Sequence, residues 1–275
     1  MELAIRSTVK LNNGVEIPVL GLGVFRSPPG QKTQQAVLDA LAVGYRHFDT
    51  AHIYGNEKDV GEAIRQSAVP RDSIFVTTKL WNSDHGYDRA LRAFDRSAGE
   101  LGLDYVDLYL IHWPVEGLRT ETWRALETLL RDRRCRAIGV SNYTIAHLGE
   151  LLDVCEVVPA INQVEFHPFL YQRELLEFCQ RKGIALEAYS PLAKAKKLAD
   201  PALRRAAQKY GKTPAQILIR WGLQHGLVVI PKSIRKQRIE ENADVFDFAI
   251  AGTDMQVLDK LDRNFRTAWD PTHAP

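Results

Sequence analysis

Short runs of apolar and β-branched residues alternate along this chain with longer stretches of helical period. The runs predict strands at 20–25, 45–50, 73–79, 106–112, 137–142, 161–166, 185–190 and 227–232. Amphipathic stretches between them predict helices at 31–43, 56–67, 86–101, 120–132, 171–182 and 213–225, the last opening on a Thr213-Pro214 cap. Strands that alternate with helices imply a parallel sheet with right-handed crossovers. Eight such units predict an α/β protein in which residues 1–275 form a single (β/α)8 barrel domain, with no interdomain linker. The glycine fingerprint of an open dinucleotide-binding sheet fails, because Gly21-Leu22-Gly23 lacks its third glycine. Ahead of the barrel, 8–11 and 15–18 flank Asn12-Asn13-Gly14, which predicts a β-hairpin acting as a structural lid over the barrel's N-terminal end. Helical patterning at 199–210 and 253–261 is surplus to the eight units and predicts extra helices toward the C-terminus.

Composition changes little in this picture. Hydrophobic residues make up 45% and charged residues 25%, an ordinary balance for a chain able to bury a large core. A net charge of +2 without a concentrated basic block argues against nucleic acid or a membrane surface as partner. Lys194, Lys196 and Lys197 read as a short solvated loop. There is no signal-peptide pattern and no run of about 18 apolar residues, so a cytoplasmic protein is expected. Cys135, Cys155 and Cys179 are odd in number and lack CxxC spacing, which fits reduced, buried thiols better than disulfides or zinc. No metal is expected, since no His/Cys cluster has ligand spacing. A barrel of this size is expected to stand as a monomer.

Chemistry enters with Asp49, Tyr54, Lys79 and His112, each at or just past the end of a predicted strand. The C-terminal rim of a parallel barrel collects catalytic side chains. A free phenol, with a pKa of about 10, is a poor acid at neutral pH. A neighbouring ammonium is expected to lower that value, with a carboxylate holding the lysine in place. A neutral His112 would then donate a hydrogen bond to a carbonyl oxygen.

At these residues the sequence resembles the aldo-keto reductase superfamily. Gly44-Tyr45-Arg46-His47-Phe48-Asp49-Thr50-Ala51 with Tyr54, Asn56-Glu57 and Gly61 is similar to its first signature. Ala137-Ile138-Gly139-Val140-Ser141-Asn142-Tyr143 is similar to the second, and Ile230-Pro231-Lys232-Ser233 with Arg238 and Glu241-Asn242 to the third. His112-Trp113-Pro114 and Asn162-Gln163-Val164-Glu165 also fit, so the matches run in order from about residue 10 to about 245. The resemblance implies the same (β/α)8 fold and reversible, NADPH-dependent reduction of an aldehyde or ketone to the alcohol. It makes Tyr54 the general acid, tuned by Lys79 and Asp49, with His112 orienting the carbonyl. It also puts Ser141, Asn142 and Gln163 on the nicotinamide carboxamide, Tyr189 on its ring, and Ser190 and Leu192 along the pyrophosphate. Lys232, Ser233 and Arg238 would hold the adenosine 2′-phosphate, which favours NADPH over NADH, and Glu241 and Asn242 the adenine.

The chain departs from the better-known pattern in places. Gly21-Leu22-Gly23-Val24-Phe25 stands where many members have a threonine and a tryptophan, and the stretch between Pro191 and Pro201 is short, as in compact bacterial members acting on diketo sugar acids. The short stretch is expected to ease cofactor exchange. The resemblance sets Phe25, Ile53, Trp81 and Trp113 around the substrate pocket, while His52, Asn82, Arg26 and Trp269 admit either a substrate or a structural role. Two alternatives remain open. One is a nicotinamide-sensing regulatory protein on the same fold, and the other a Schiff-base enzyme using Lys79, against which Asp49 speaks.

Overall fold

The computed structural model describes residues 3–273. Asn13 and Gly14 turn the chain between β1 (Thr8–Lys10) and β2 (Glu16–Pro18), which pair antiparallel. Gly14 supplies the positive φ of 87° that the turn needs. Asn12 and Asn13 donate side-chain hydrogen bonds to the Pro159 and Arg136 carbonyls, both 3.0 Å away. Leu11 and Ile17 then plug the barrel floor against Phe75, Leu108, Ala137 and Ile161. The hairpin is the expected lid.

The strands that follow are β3 (Leu22–Gly23), β4 (His47–Asp49), β5 (Phe75–Leu80), β6 (Val106–Ile111), β7 (Cys135–Ser141), β8 (Ile161–Glu165), β9 (Ala185–Tyr189) and β10 (Val228–Ile230). All pair in parallel with their sequence neighbours. Two hydrogen bonds of 2.9 Å, Gly21 N–H to the Val229 carbonyl and Val229 N–H to the Val19 carbonyl, draw the last strand onto the first. That seam closes the (β/α)8 barrel.

Helices α1 (Gln31–Val43), α2 (Glu57–Gln66), α3 (Tyr87–Leu101), α4 (Arg119–Arg131), α5 (Ile145–Leu152) and α6 (Arg173–Arg181) cross between strands. α7 (Pro201–Tyr210) and α8 (Pro214–Gln224) both lie between β9 and β10, and α9 (Lys236–Ala243) and α10 (Gly252–Asp259) follow the barrel. Each crossing helix buries one face on the sheet, as Val37 and Ala40 of α1 and Phe94 and Ala98 of α3 do. The Thr213 cap forms a reciprocal box with Gln216, and Pro214 takes the first helical position. The end strands are shorter than the sequence predicts, and α5 is an addition to it. None of the described helices is long and apolar enough to cross a membrane.

Candidate active site

Asp49 is the last residue of β4, and Tyr54 closes a single 3-10 turn, His52–Tyr54, that begins three residues later. Lys79 lies near the end of β5, and His112 directly follows β6. Lys79 is fully buried, and its ammonium donates to Asp49 Oδ1 (2.6 Å), Asp49 Oδ2 (2.7 Å) and the Thr50 carbonyl (2.8 Å). Three donors meet three acceptors. The same Nζ stands 5.1 Å from the centroid of the Tyr54 ring, and the His112 ring lies edge-on to that ring at 5.7 Å. The structure therefore brings all four rim residues into one cluster.

The cluster's electrostatics differ from expectation in one respect. Burial, then the carboxylates of Asp49 and Glu187, push the Tyr54 phenol well above 10 rather than below it. Lys79 spends its protons on Asp49 and Thr50, and at the phenol burial and the two carboxylates outweigh it. His112 behaves as anticipated, since burial and then the Lys79 charge hold it well below 6.5 and keep the ring neutral.

Beneath the rim lies a polar layer that the sequence reading passed over. Gln163 of β8 donates from one amide nitrogen to Asp49 Oδ2 (2.7 Å) and Glu187 Oε2 (2.9 Å). Glu187 on β9 and His47 on β4 are both fully buried, with His47 Nε2 3.5 Å from Glu187 Oε1 and 3.2 Å from Thr77 Oγ1. Gly21 makes room for the imidazole, because a Cβ there would stand 2.6 Å from His47 Nδ1. A carboxylate inside an otherwise apolar strand was the available signal.

The residues matched to a cofactor fall in two groups. Asn142 is held in the left-handed region (φ 64°), donates to the His112 carbonyl (2.9 Å) and accepts from the Tyr189 hydroxyl (2.8 Å). Ser141 donates to the Gln163 carbonyl at 2.8 Å. Ser141, Asn142, Gln163 and Tyr189 thus form one connected wall beside His112. Past it, Ser190, Ala193, Lys194 and Ala195 all adopt positive φ, and Leu192 turns inward to pack on the core. The second group opens α9. Lys232, Arg235, Lys236 and Arg238 are exposed there, and none is paired with an acidic side chain among the described residues. Ser233 is buried and caps its own loop by accepting the Arg235 N–H at 3.1 Å. Asn242 is buried, and Glu241 accepts from Thr213 Oγ1 at 2.5 Å, which occupies one of its oxygens.

These groups fit a nicotinamide dinucleotide. With both protons of its NH2 committed to carboxylates, Gln163 offers its carbonyl end to an amide donor. The four unpaired cations at the start of α9 suit an anionic group.

The mouth is apolar. Phe25 packs on Tyr54 with ring centroids 5.0 Å apart, Trp81 packs on His112 at 5.2 Å, and Phe25 and Ile53 are 44% and 48% exposed. Trp113 is buried beneath Trp269, their rings 5.4 Å apart, with Trp269 60% exposed. A second missed residue sets that wall. Glu165, at the end of β8, accepts the N–H groups of Thr267 and Ala268, each at 2.9 Å, and the Thr267 hydroxyl, strapping the tail over the rim. His52 is half-exposed and leans on Glu57 (3.6 Å), Asn82 has a buried oxygen without a partner, and the Arg26 guanidinium rests 5.4 Å from the Phe25 ring centroid.

A model of the aldo/keto reductase family matches residues 19–263, and the chain belongs to that family. It is 49% identical over 271 residues to a glyoxal reductase of Bacillus subtilis (strain 168), covering 98% of each protein. It is 50% identical over 266 residues to a 9,11-endoperoxide prostaglandin H2 reductase of Trypanosoma cruzi (strain CL Brener), covering 96% of this chain and 94% of that protein. A crystal structure of an aldo-keto reductase from a Medee basin deep-sea metagenome library superposes with a TM-score of 0.94 at 45% identity, covering 97% of this chain and 99% of that one. The chain is thus an oxidoreductase of a carbonyl-reducing family.

Proposed function

We propose that this chain, working as one barrel domain, reduces small aldehydes or ketones to alcohols with NADPH, Tyr54 serving as the general acid. The observation that carries this reading is the meeting of a protonated phenol and a neutral imidazole under an apolar mouth, above the Lys79–Asp49 pair. When bound, the reduced nicotinamide supplies the hydride. His112 donates to the carbonyl oxygen and fixes its direction. Tyr54, held protonated, gives its proton to that oxygen as negative charge develops there, and the buried ammonium lies near enough to steady the phenolate left behind. Gln163, Ser141 and Asn142 would hold the nicotinamide carboxamide, and Tyr189 would pack on its ring. The unpaired cations of Lys232 and Arg238 favour a cofactor bearing a 2′-phosphate.

A panel of aldehydes, dicarbonyls and ketones, followed by loss of reduced-nicotinamide absorbance with NADPH and with NADH, tests the reading. Turnover with NADPH should exceed that with NADH, and a Tyr54→Phe variant should lose about a hundredfold or more in kcat. Tight NADPH binding with no turnover across the panel would transfer the assignment to a nicotinamide-sensing role.

A further inference from the structure

The interior beneath Tyr54 holds two carboxylates, Asp49 and Glu187, and one ammonium, Lys79. Both acids accept from the same amide nitrogen of Gln163, at 2.7 and 2.9 Å. Reversing that amide would set its oxygen against two acidic groups, so the pair of them locks Gln163 with its NH2 inward. Glu187 Oε1 has no hydrogen-bond partner as a carboxylate oxygen, and His47 Nε2 lies 3.5 Å away. The groups facing Glu187 are His47 and Asp49 from β4, Lys79 from β5, Gln163 from β8 and Tyr54 from the 3-10 turn, while its β10 partner, Val228, is apolar. With Asp49 matched to Lys79, a second buried negative charge would stand uncompensated.

We propose that Glu187 is a positioning residue of the reaction, clamping Gln163 together with Asp49 and carrying a proton toward His47 that keeps one negative charge against one positive beneath the phenol. Burial and then the Asp49 charge push this acid up to about 8, in keeping with a proton retained at neutral pH. When that proton leaves, a second anion faces Tyr54, and the phenolate that forms in carbonyl reduction becomes harder to make. The rate therefore falls as pH rises through the ionisation of Glu187, well before the phenol itself titrates.

This inference rests on the reductase reading, and two measurements separate the two. In the pH profile of kcat for reduction, the wild type should lose rate above about 8, and Glu187→Gln should move that limb about one pH unit or more to the alkaline side. A merely structural role predicts lower stability with the limb unmoved, and that outcome overturns the proposal. Infrared titration of wild-type protein carrying 13C in its glutamate carboxyls needs no variant and no turnover. A label-sensitive carboxylic-acid stretch that disappears near pH 8 supports the proposal, and the absence of any such band at pH 6.5 overturns it. Failure of the wild type to reduce any carbonyl would defeat the reductase reading while leaving the infrared result to decide the proton.

Discussion

Lys79 shows how much one side chain decides. It is a fully buried cation whose counterion is 3% exposed, and neither would be tolerated alone. Lys79→Met should destabilise the protein by about 3–5 kcal/mol, because it strands the Asp49 carboxylate in the interior. Adding Asp49→Asn should recover part of the loss, since it removes the orphaned charge. Urea unfolding of the three proteins checks this, and a double variant no more stable than the single would refute the account. The four rim residues were legible in the sequence because their types are costly at strand ends and shared one place on a barrel. The direction of the phenol's shift was not, since it follows from the burial of the ring and the approach of Asp49 and Glu187, which no spacing reveals. Glu187 and Glu165 escaped for a related reason. Each ends or interrupts an apolar run, and only the folded chain shows which way such a residue points.

Elements were readable where their pattern was one-sided. α1 spans the same residues, 31–43, that its amphipathic period gives, because Val37, Ala40 and Leu41 share the buried face. α5 and α9 span only eight residues each, about two turns over which a period hardly repeats. α5 buries Leu148 and Leu151, and α9 buries Ile239 and Asn242. β3 is only two residues long: it pairs with β4 on one side, while Gly21 and Gly23 donate across the seam to the Val229 and Pro231 carbonyls on the other. Gly61 is the clearest case of an element fixed by what it lacks. A Cβ on this residue of α2 would stand 1.8 Å from the Leu101 carbonyl oxygen at the end of α3. In a free helix Gly→Ala gains about 1 kcal/mol. Gly61→Ala should instead cost at least about 2 kcal/mol, because backbone has to move to relieve the overlap. A thermal midpoint at or above that of the wild type would show that α2 and α3 can part without penalty.

The whole molecule carries its buried charges in a balance that pH disturbs from both sides. His47 and His85, held down to about 3 and about 4 by burial, and His112, also held down, stay neutral in the folded state. In the unfolded chain they protonate near 6.5, so the unfolded state takes up more protons below that value and stability falls toward acid. Glu187 acts in the opposite sense. Raised from 4.5 to about 8, it retains a proton in the folded state that the unfolded chain releases, so its contribution is lost as pH rises through that window. Each group changes stability by about 1.4 kcal/mol per pH unit where it acts alone. Three imidazoles outweigh one carboxyl between 4.5 and 6.5, which predicts a stability maximum near pH 6.5 with a steeper acid limb. Urea midpoints from pH 4.5 to 8.5 check it, and a midpoint that rises steadily toward acid would contradict the assignment of neutral histidines. The seam at Gly21 and Val229 has a further consequence, for the growing polypeptide on the ribosome. At about 5–20 residues per second, the stretch separating the two seam strands takes roughly ten to forty seconds to emerge. Throughout that interval the seam edge at Gly21 and Gly23 has no last strand to pair with.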